Sequence, residues 1–129
     1  MKRFLCYWLP PLVLMVAIFA LSAQSSLPQA PEDWLDLLIK KGAHLGAYGL
    51  LAWLYARLLR GEFPELDAWI LYSTALGLAL LYALSDEYHQ TFVPGRNGTW
   101  NDVLIDGAGA ALATGLHWWW ARRLPSAGT

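Results

Sequence analysis

The sequence is poor in charge and in cysteine, and each shortage removes a class of function. Nine Lys/Arg residues against ten Asp/Glu leave a net charge of −1 with no run of like charges, so there is neither a basic field for nucleic acid nor a charged tail. Cys6 stands alone. An intrachain disulfide and a thiolate zinc cluster are therefore excluded, and Cys6 reads as a small buried or lipid-facing apolar residue. Internal repeats and low-complexity segments are missing too. What fills the chain instead is apolar: 57% of its 129 residues, against 15% charged, with a mean hydropathy of +0.34. The apolar share lies above the soluble average and the charged share below it, which is the bias of a chain solvated partly by hydrocarbon. The length suits one domain, taken as residues 1–129.

About 30 Å of hydrocarbon takes roughly 20 helical residues, and four apolar runs approach that length: 4–22, 43–59, 68–84 and 103–120. The second and third are short, but Arg57 and Arg60 can snorkel and aromatic residues mark the edges. None of the runs alternates apolar and polar residues as a barrel strand does, and a helix satisfies every backbone group within its own segment. The expectation is an all-α, four-helix transmembrane bundle whose first helix is kinked or thinned at Pro10 and Pro11. The first run also fits a secretory signal peptide: Lys2 and Arg3 precede the apolar stretch, and "ALSAQ" offers cleavage after Ala23. Cleavage would leave three spans and put Pro28 near the new terminus.

In a four-span arrangement Lys2, Arg3, Arg57, Arg60, Arg122 and Arg123 fall on one side, against Lys40, Lys41 and Arg96 on the other. The positive-inside rule then puts both termini in the cytoplasm. The linker from Ser22 to Lys41 lies outside, where it is expected to carry a short surface helix with Pro31 in its first turn, Glu32 and Asp33 at its positive end and Trp34 at the interface.

Nearly all the reactive side chains collect on that outer side. At about 100° per helical residue, Lys41, His44 and Tyr48 share one stripe, and Gly42, Gly46 and Gly49 share the next. Gly42 and Gly46 form a Gly-x-x-x-Gly pair, read as a packing face that keeps the polar stripe near the bundle interior. Asp102, Asp106, Gly109 and Ala113 form another stripe. Asp86 and Gln90 lie one turn apart at the end of the third run, with Glu87 beside them, and Val93-Pro94-Gly95-Arg96 makes a turn that brings Arg96 back toward the carboxylates. Each piece has a plainer reading. Lys40, Lys41 and Arg96 can be snorkelling interfacial charges, His44 a hydrogen-bonded core histidine, and His89, outside the stripes, a loop residue. Asp86 and Glu87 sit badly at the negative end of a helix, which calls for a positive partner. Asp106 is harder to set aside: it lies about one turn inside the last run, where an ionised group needs a partner such as Lys41 or Arg96.

"KKGAHLGAYGLL", followed by "SDEYHQTFVPGRNGTWNDVLIDGAGAALATG", resembles the VanZ-like family of small bacterial membrane proteins. The family pattern, Lys-x-x-His-x-x-x-Tyr, then Asp-Glu-x-x-Gln, Gly-Arg and a later Asp ahead of glycine, falls on Lys41, His44, Tyr48, Asp86, Glu87, Gln90, Gly95, Arg96, Asp102 and Gly109. Asp106 stands where the family often has Asn, and Lys40 where an acidic residue often precedes the lysine. The resemblance implies that the first helix is retained, and it brings a cell-envelope context, since the family is named for low-level resistance to the glycopeptide teicoplanin. It implies no reaction.

Three functions fit these residues. In the first, an anionic envelope-lipid head group, or another phosphate or carboxylate ligand, binds at the outer interface; Arg96 grips it with a fork, Lys41 adds charge, and Asp86, Glu87 and Asp102 orient the cations. In the second, the chain is an interfacial hydrolase or transferase with His44, Glu87 or Asp86 as the acid or base, Arg96 and Lys41 stabilising negative charge, and Ser85 or water as nucleophile. In the third, paired charges fix helix register in a homo-oligomer or beside a membrane partner protein. Four short spans leave little room for a pore. No cofactor motif is present, and a metal site from His44, Asp86, Glu87 or Asp102 lacks a recognised ligand spacing.

Overall fold

The computed structural model describes residues 1–26 and 31–123. Pro28 and residues 124–129, which include the C-terminus expected in the cytoplasm, lie outside the described residues. The described residues are all helical apart from connections, with no strand. A π-helical turn at Phe4–Trp8 runs into α1 (Leu9–Ser22), followed by α2 (Asp33–Glu62), α3 (Ala68–Gln90) and α4 (Trp100–Arg123).

The two prolines explain the π turn. Pro10 and Pro11 donate no hydrogen bond and their rings crowd the carbonyls four residues earlier. The chain answers by widening, so that the Leu9 N–H reaches the Phe4 carbonyl five residues back. The helix thus stays continuous through the pair, with the prolines at the start of the regular α segment.

α2 departs from expectation. The short surface helix and the second span form one 30-residue helix that starts at Asp33, with Pro31 ahead of it rather than in its first turn. An i, i+4 pair of Asp36 and Lys40, 2.6 Å apart, bridges the polar stretch, and Asp33 and Asp36 favour the positive helix end. α3 likewise runs on to Gln90, so His89 lies in its last turn and not in a loop. There its ring stacks on Phe19 of α1, with centroids 4.4 Å apart.

α2 is the central helix, packed most extensively on α4 and then on α3, while α1 lies more lightly across α2 and α3. The α2–α4 seam is a backbone contact. A Cβ on Gly109 would collide with the Leu45 carbonyl, and one on Gly49 would stand 3.1 Å from the Gly109 carbonyl oxygen. The expected glycine face is otherwise corrected: nothing lies within 4 Å of a Cβ at Gly42 or Gly46, and both are exposed. Below the seam small residues let the helices close, with Ala52, Ala79 and Ala110 fully buried together.

α1 is bonded into the bundle. Tyr82 donates to the Met15 carbonyl at 2.7 Å, Tyr55 to the Met15 sulfur at 3.1 Å, and Ser22 to Asp86 at 2.8 Å. Phe4–Ser22 and Ala68–Gln90 are long and apolar enough to cross a membrane, and only 11% of the first window and 28% of the second is buried. A core helix of a soluble protein would be mostly covered. Here Val13, Val16 and Phe19 on α1, Leu81 on α3, and Leu104, Leu112 and Leu116 on α4 are exposed.

Candidate functional site

The bundle has two unlike ends. The N-terminus of the π turn, the C-termini of α2 and α4 and the start of α3 make an arginine-rich end. The C-termini of α1 and α3 and the N-terminal halves of α2 and α4 make an acidic one, and most of the residues singled out above meet there.

α2 and α4 run parallel, and their contacts fall in one register. Lys41 pairs with Asp102. One turn further, His44 Nδ1 meets Asp106 Oδ1 at 3.2 Å, and a turn beyond that Gly49 meets Gly109 and Ala113. The two polar stripes therefore face each other. Asp106 is fully buried, with 0% exposure. Its partners are His44 and the nearby charge of Lys41, not Arg96.

α3 brings the second carboxylate group to the same place. Ser22 Oγ and Tyr48 Oη donate to Asp86 Oδ2 at 2.8 and 2.9 Å, and Gln90 Nε2 approaches that oxygen and Glu87 Oε1 at 3.3 Å each. Glu87 Oε2 accepts the Thr99 backbone N–H at 2.9 Å. This last contact depends on a tight loop: a Cβ on Gly98 would strike the Glu87 carbonyl oxygen. Asp86, Glu87 and Gln90 are all buried. A ring nitrogen of His44 and one carboxylate oxygen each of Glu87 and Asp106 lie within 4.8 Å of one another.

Arg96 is placed as expected but bonded otherwise. Pro94 and Gly95, with φ +79° at the glycine, occupy the two central positions of the turn, and the Arg96 N–H closes it on the Val93 carbonyl at 3.1 Å, a type II pattern. The guanidinium then reaches across to α1. Nε donates to the Gln24 carbonyl and Nη2 to the Leu21 carbonyl, both at 3.1 Å, and Nη1 donates to Gln90 Oε1 at 3.3 Å. Among the described residues Arg96 makes no ion pair, so it is not the partner of the carboxylates. It caps the carbonyl end of α1, and of its five N–H donors three are bonded among the described residues.

Ser85, the candidate nucleophile, is exposed and donates to the Tyr82 carbonyl of its own helix at 2.8 Å; it lies outside the cluster. Two residues that sequence reasoning passed over do enter. Ser22 ends an apolar run and had no signal of its own. Thr99 had one: Thr-x-x-Asp ahead of a helix is a capping pattern, and Thr99 Oγ1 both accepts the Asp102 N–H at 3.2 Å and donates to Asp102 Oδ2 at 2.9 Å.

Two cavities open beside the cluster. A polar one of about 430 Å³ is lined by Lys40, Lys41, Arg96, His44, Asn97 and Asp102, among others. An apolar groove of about 290 Å³ lies beside it between α1 and α2, along Ile18, Leu21, Ile39, Ala43 and Ala47. Lys40, His44 and Arg96 belong to both.

The family model described as VanZ/LLP1 matches residues 4–121, from the π turn almost to the end of α4. The chain belongs to the VanZ/LLP1 family. No curated protein and no solved structure matches it significantly. The VanZ/LLP1 match takes in the whole acidic end, including Lys41, His44, Tyr48, Asp86, Glu87, Gln90, Arg96, Asp102 and Asp106, and extends through α1.

Proposed function

We propose that residues 1–129 form one four-span membrane domain with both termini in the cytoplasm and α1 retained, and that its outer end binds an anionic envelope lipid. The polar cavity takes the head group and the groove between α1 and α2 takes an acyl chain. One observation carries this reading: a cavity with three basic side chains and an apolar groove lie side by side, with Lys40, His44 and Arg96 lining both. A soluble anion would have no use for the groove, nor an apolar ligand for the cations.

The membrane reading rests on two long, poorly buried apolar helices and on aromatic residues at both ends. Trp34 and Trp100 are exposed at the acidic end, and Trp69, Trp118, Trp119 and Trp120 at the other, as interfacial belts require. The arginine-rich end faces the cytoplasm by the positive-inside rule. In the site, Lys40 and Lys41 supply charge, and the Arg96 guanidinium supplies direction. Asp102 holds Lys41, while Asp86, Glu87 and Gln90 fix the wall behind Arg96 and Tyr48. Through family membership, lipid binding here bears on tolerance of glycopeptides such as teicoplanin.

The test is native mass spectrometry on protein extracted from vesicles with equal phosphatidylglycerol and phosphatidylcholine. Retention of phosphatidylglycerol, lost on Lys40→Glu, is expected. Equal retention of both lipids, or no effect of the charge reversal, refutes the reading.

A further inference from the structure

The acidic end holds more buried carboxylate than its cations neutralise. Lys41 pairs directly with Asp102, and Arg96 bonds to carbonyls and Gln90. Asp86, Glu87 and Asp106, near enough to feel one another's charge, have the His44 ring and, beside Asp106, the more distant charge of Lys41. The strain shows in two orphaned atoms. Among the described residues, Asp106 Oδ2 and Asp86 Oδ1 are buried without a hydrogen-bond partner, in residues only 0% and 2% exposed. Native proteins rarely leave such groups unpaired without a reason, an unseen ion among them.

We infer that His44, Glu87 and Asp106 bind one divalent transition-metal ion of the Zn²⁺ or Mn²⁺ kind, buried behind the His44 wall of the polar cavity. The donor set is one imidazole and two carboxylates, which suits those ions better than the all-oxygen sets of Mg²⁺ and Ca²⁺. The geometry is close to what a tetrahedral centre needs. Bonds of about 2.0 to 2.1 Å put neighbouring ligand atoms about 3.3 Å apart, and His44 Nδ1 already stands 3.2 Å from Asp106 Oδ1. With all three donors within 4.8 Å, Glu87 has at most about 1.5 Å to close, a side-chain adjustment. Asp106 also carries an oxygen unpartnered among the described residues, Oδ2, beside the Oδ1 that faces His44, so the carboxylate has a second oxygen to offer the ion. Of the three, His44 lines the polar cavity, so the ion would lie behind its wall on the side of His44. The site was hidden in the sequence because its ligands come from three separate helices and form no local spacing.

The inference stands apart from lipid binding, so its test omits lipid. Protein in detergent is stripped with chelator, dialysed against Zn²⁺ or Mn²⁺ and assayed by elemental mass spectrometry and thermal melting. One ion per chain and a raised melting temperature are expected, with Mg²⁺ and Ca²⁺ much weaker. Glu87→Gln and Asp106→Asn should each weaken binding at least about ten-fold, the smaller loss typical even of outer-shell changes. Both substitutions keep shape and remove a buried charge, so folding survives, and the metal-free melting temperature verifies it. Bound Mn²⁺ should show magnetic coupling to an imidazole nitrogen that disappears in His44→Gln. Binding no tighter in the natural chain than in folded Glu87→Gln and Asp106→Asn, or undiminished binding in both, overturns the site.

Discussion

The two ends of the bundle solve the same problem in opposite ways. At the arginine-rich end polar groups contact one another: Arg60 donates to Tyr72 Oη at 2.9 Å, Tyr72 pairs with His117 Nδ1 at 2.8 Å, and Arg3 meets the Gly61 carbonyl at 2.7 Å and Glu62 at 3.6 Å. The surplus charge there lies over rings, Arg122 on Trp118 and Arg123 on Trp119, 4.6 and 4.1 Å from the centroids. At the acidic end three buried atoms of Asp86, His89 and Asp106 go without a hydrogen-bond partner among the described residues, beside cavities open to the surroundings. A closed network that satisfies its members braces a fold. An open one with orphaned acceptors costs stability, and such costs collect where function needs them. The first end reads as structure and the second as site.

Substitutions can break or sharpen that contrast. The largest effect is expected at Asp86→Ala, which strands the buried donors of Ser22 and Tyr48 and frees Gln90; a loss on the order of 3 to 5 kcal/mol of stability should appear in melting curves. Gly109→Ala drives a methyl group into the Leu45 carbonyl and should cost about 1 to 3 kcal/mol. The same change at exposed Gly42 should instead gain up to about 1 kcal/mol from helix propensity. Arg96→Lys loses the fork that holds the end of α1, and a loss of about 1 to 2 kcal/mol is expected, with faster hydrogen exchange at the α1 C-terminus as the specific readout. Tyr72→Phe, at the braced end, should cost about 1 kcal/mol and leave lipid binding unchanged.

How much of this was legible depends on what kind of group carries each contact. The stripes of Lys41, His44 and Tyr48 and of Asp102 and Asp106 follow from helical periodicity, and the burial of Asp106 from its place inside an apolar run, but that the stripes face each other does not follow from spacing. Val93-Pro94-Gly95-Arg96 announces its turn through the fixed φ of proline and the freedom of glycine. The start of α2 was missed because residues 33–42 are polar enough to end an apolar run, while the helix itself continues on backbone bonds and the Asp36–Lys40 pair. Arg96 was sent to the wrong partners for a related reason: its true acceptors are the Leu21 and Gln24 carbonyls, and a backbone carbonyl has no letter in the sequence. The Gly42 and Gly46 pair misled because small residues permit close packing without compelling it. Only Gly49, which meets Gly109, uses the permission.

The contrast between brace and site is tested most directly by comparing one conservative change at each end in a deletion strain grown under teicoplanin, with membrane level and melting temperature recorded alongside. Glu87→Gln keeps size and one acceptor for the Gln90 and Thr99 donors but turns the other oxygen into a donor and removes a charge from the acidic end. It is expected to fold, reach normal membrane level and fail to complement, while Tyr72→Phe complements fully. Full complementation by Glu87→Gln at normal membrane level would contradict the account and make the acidic end a second brace.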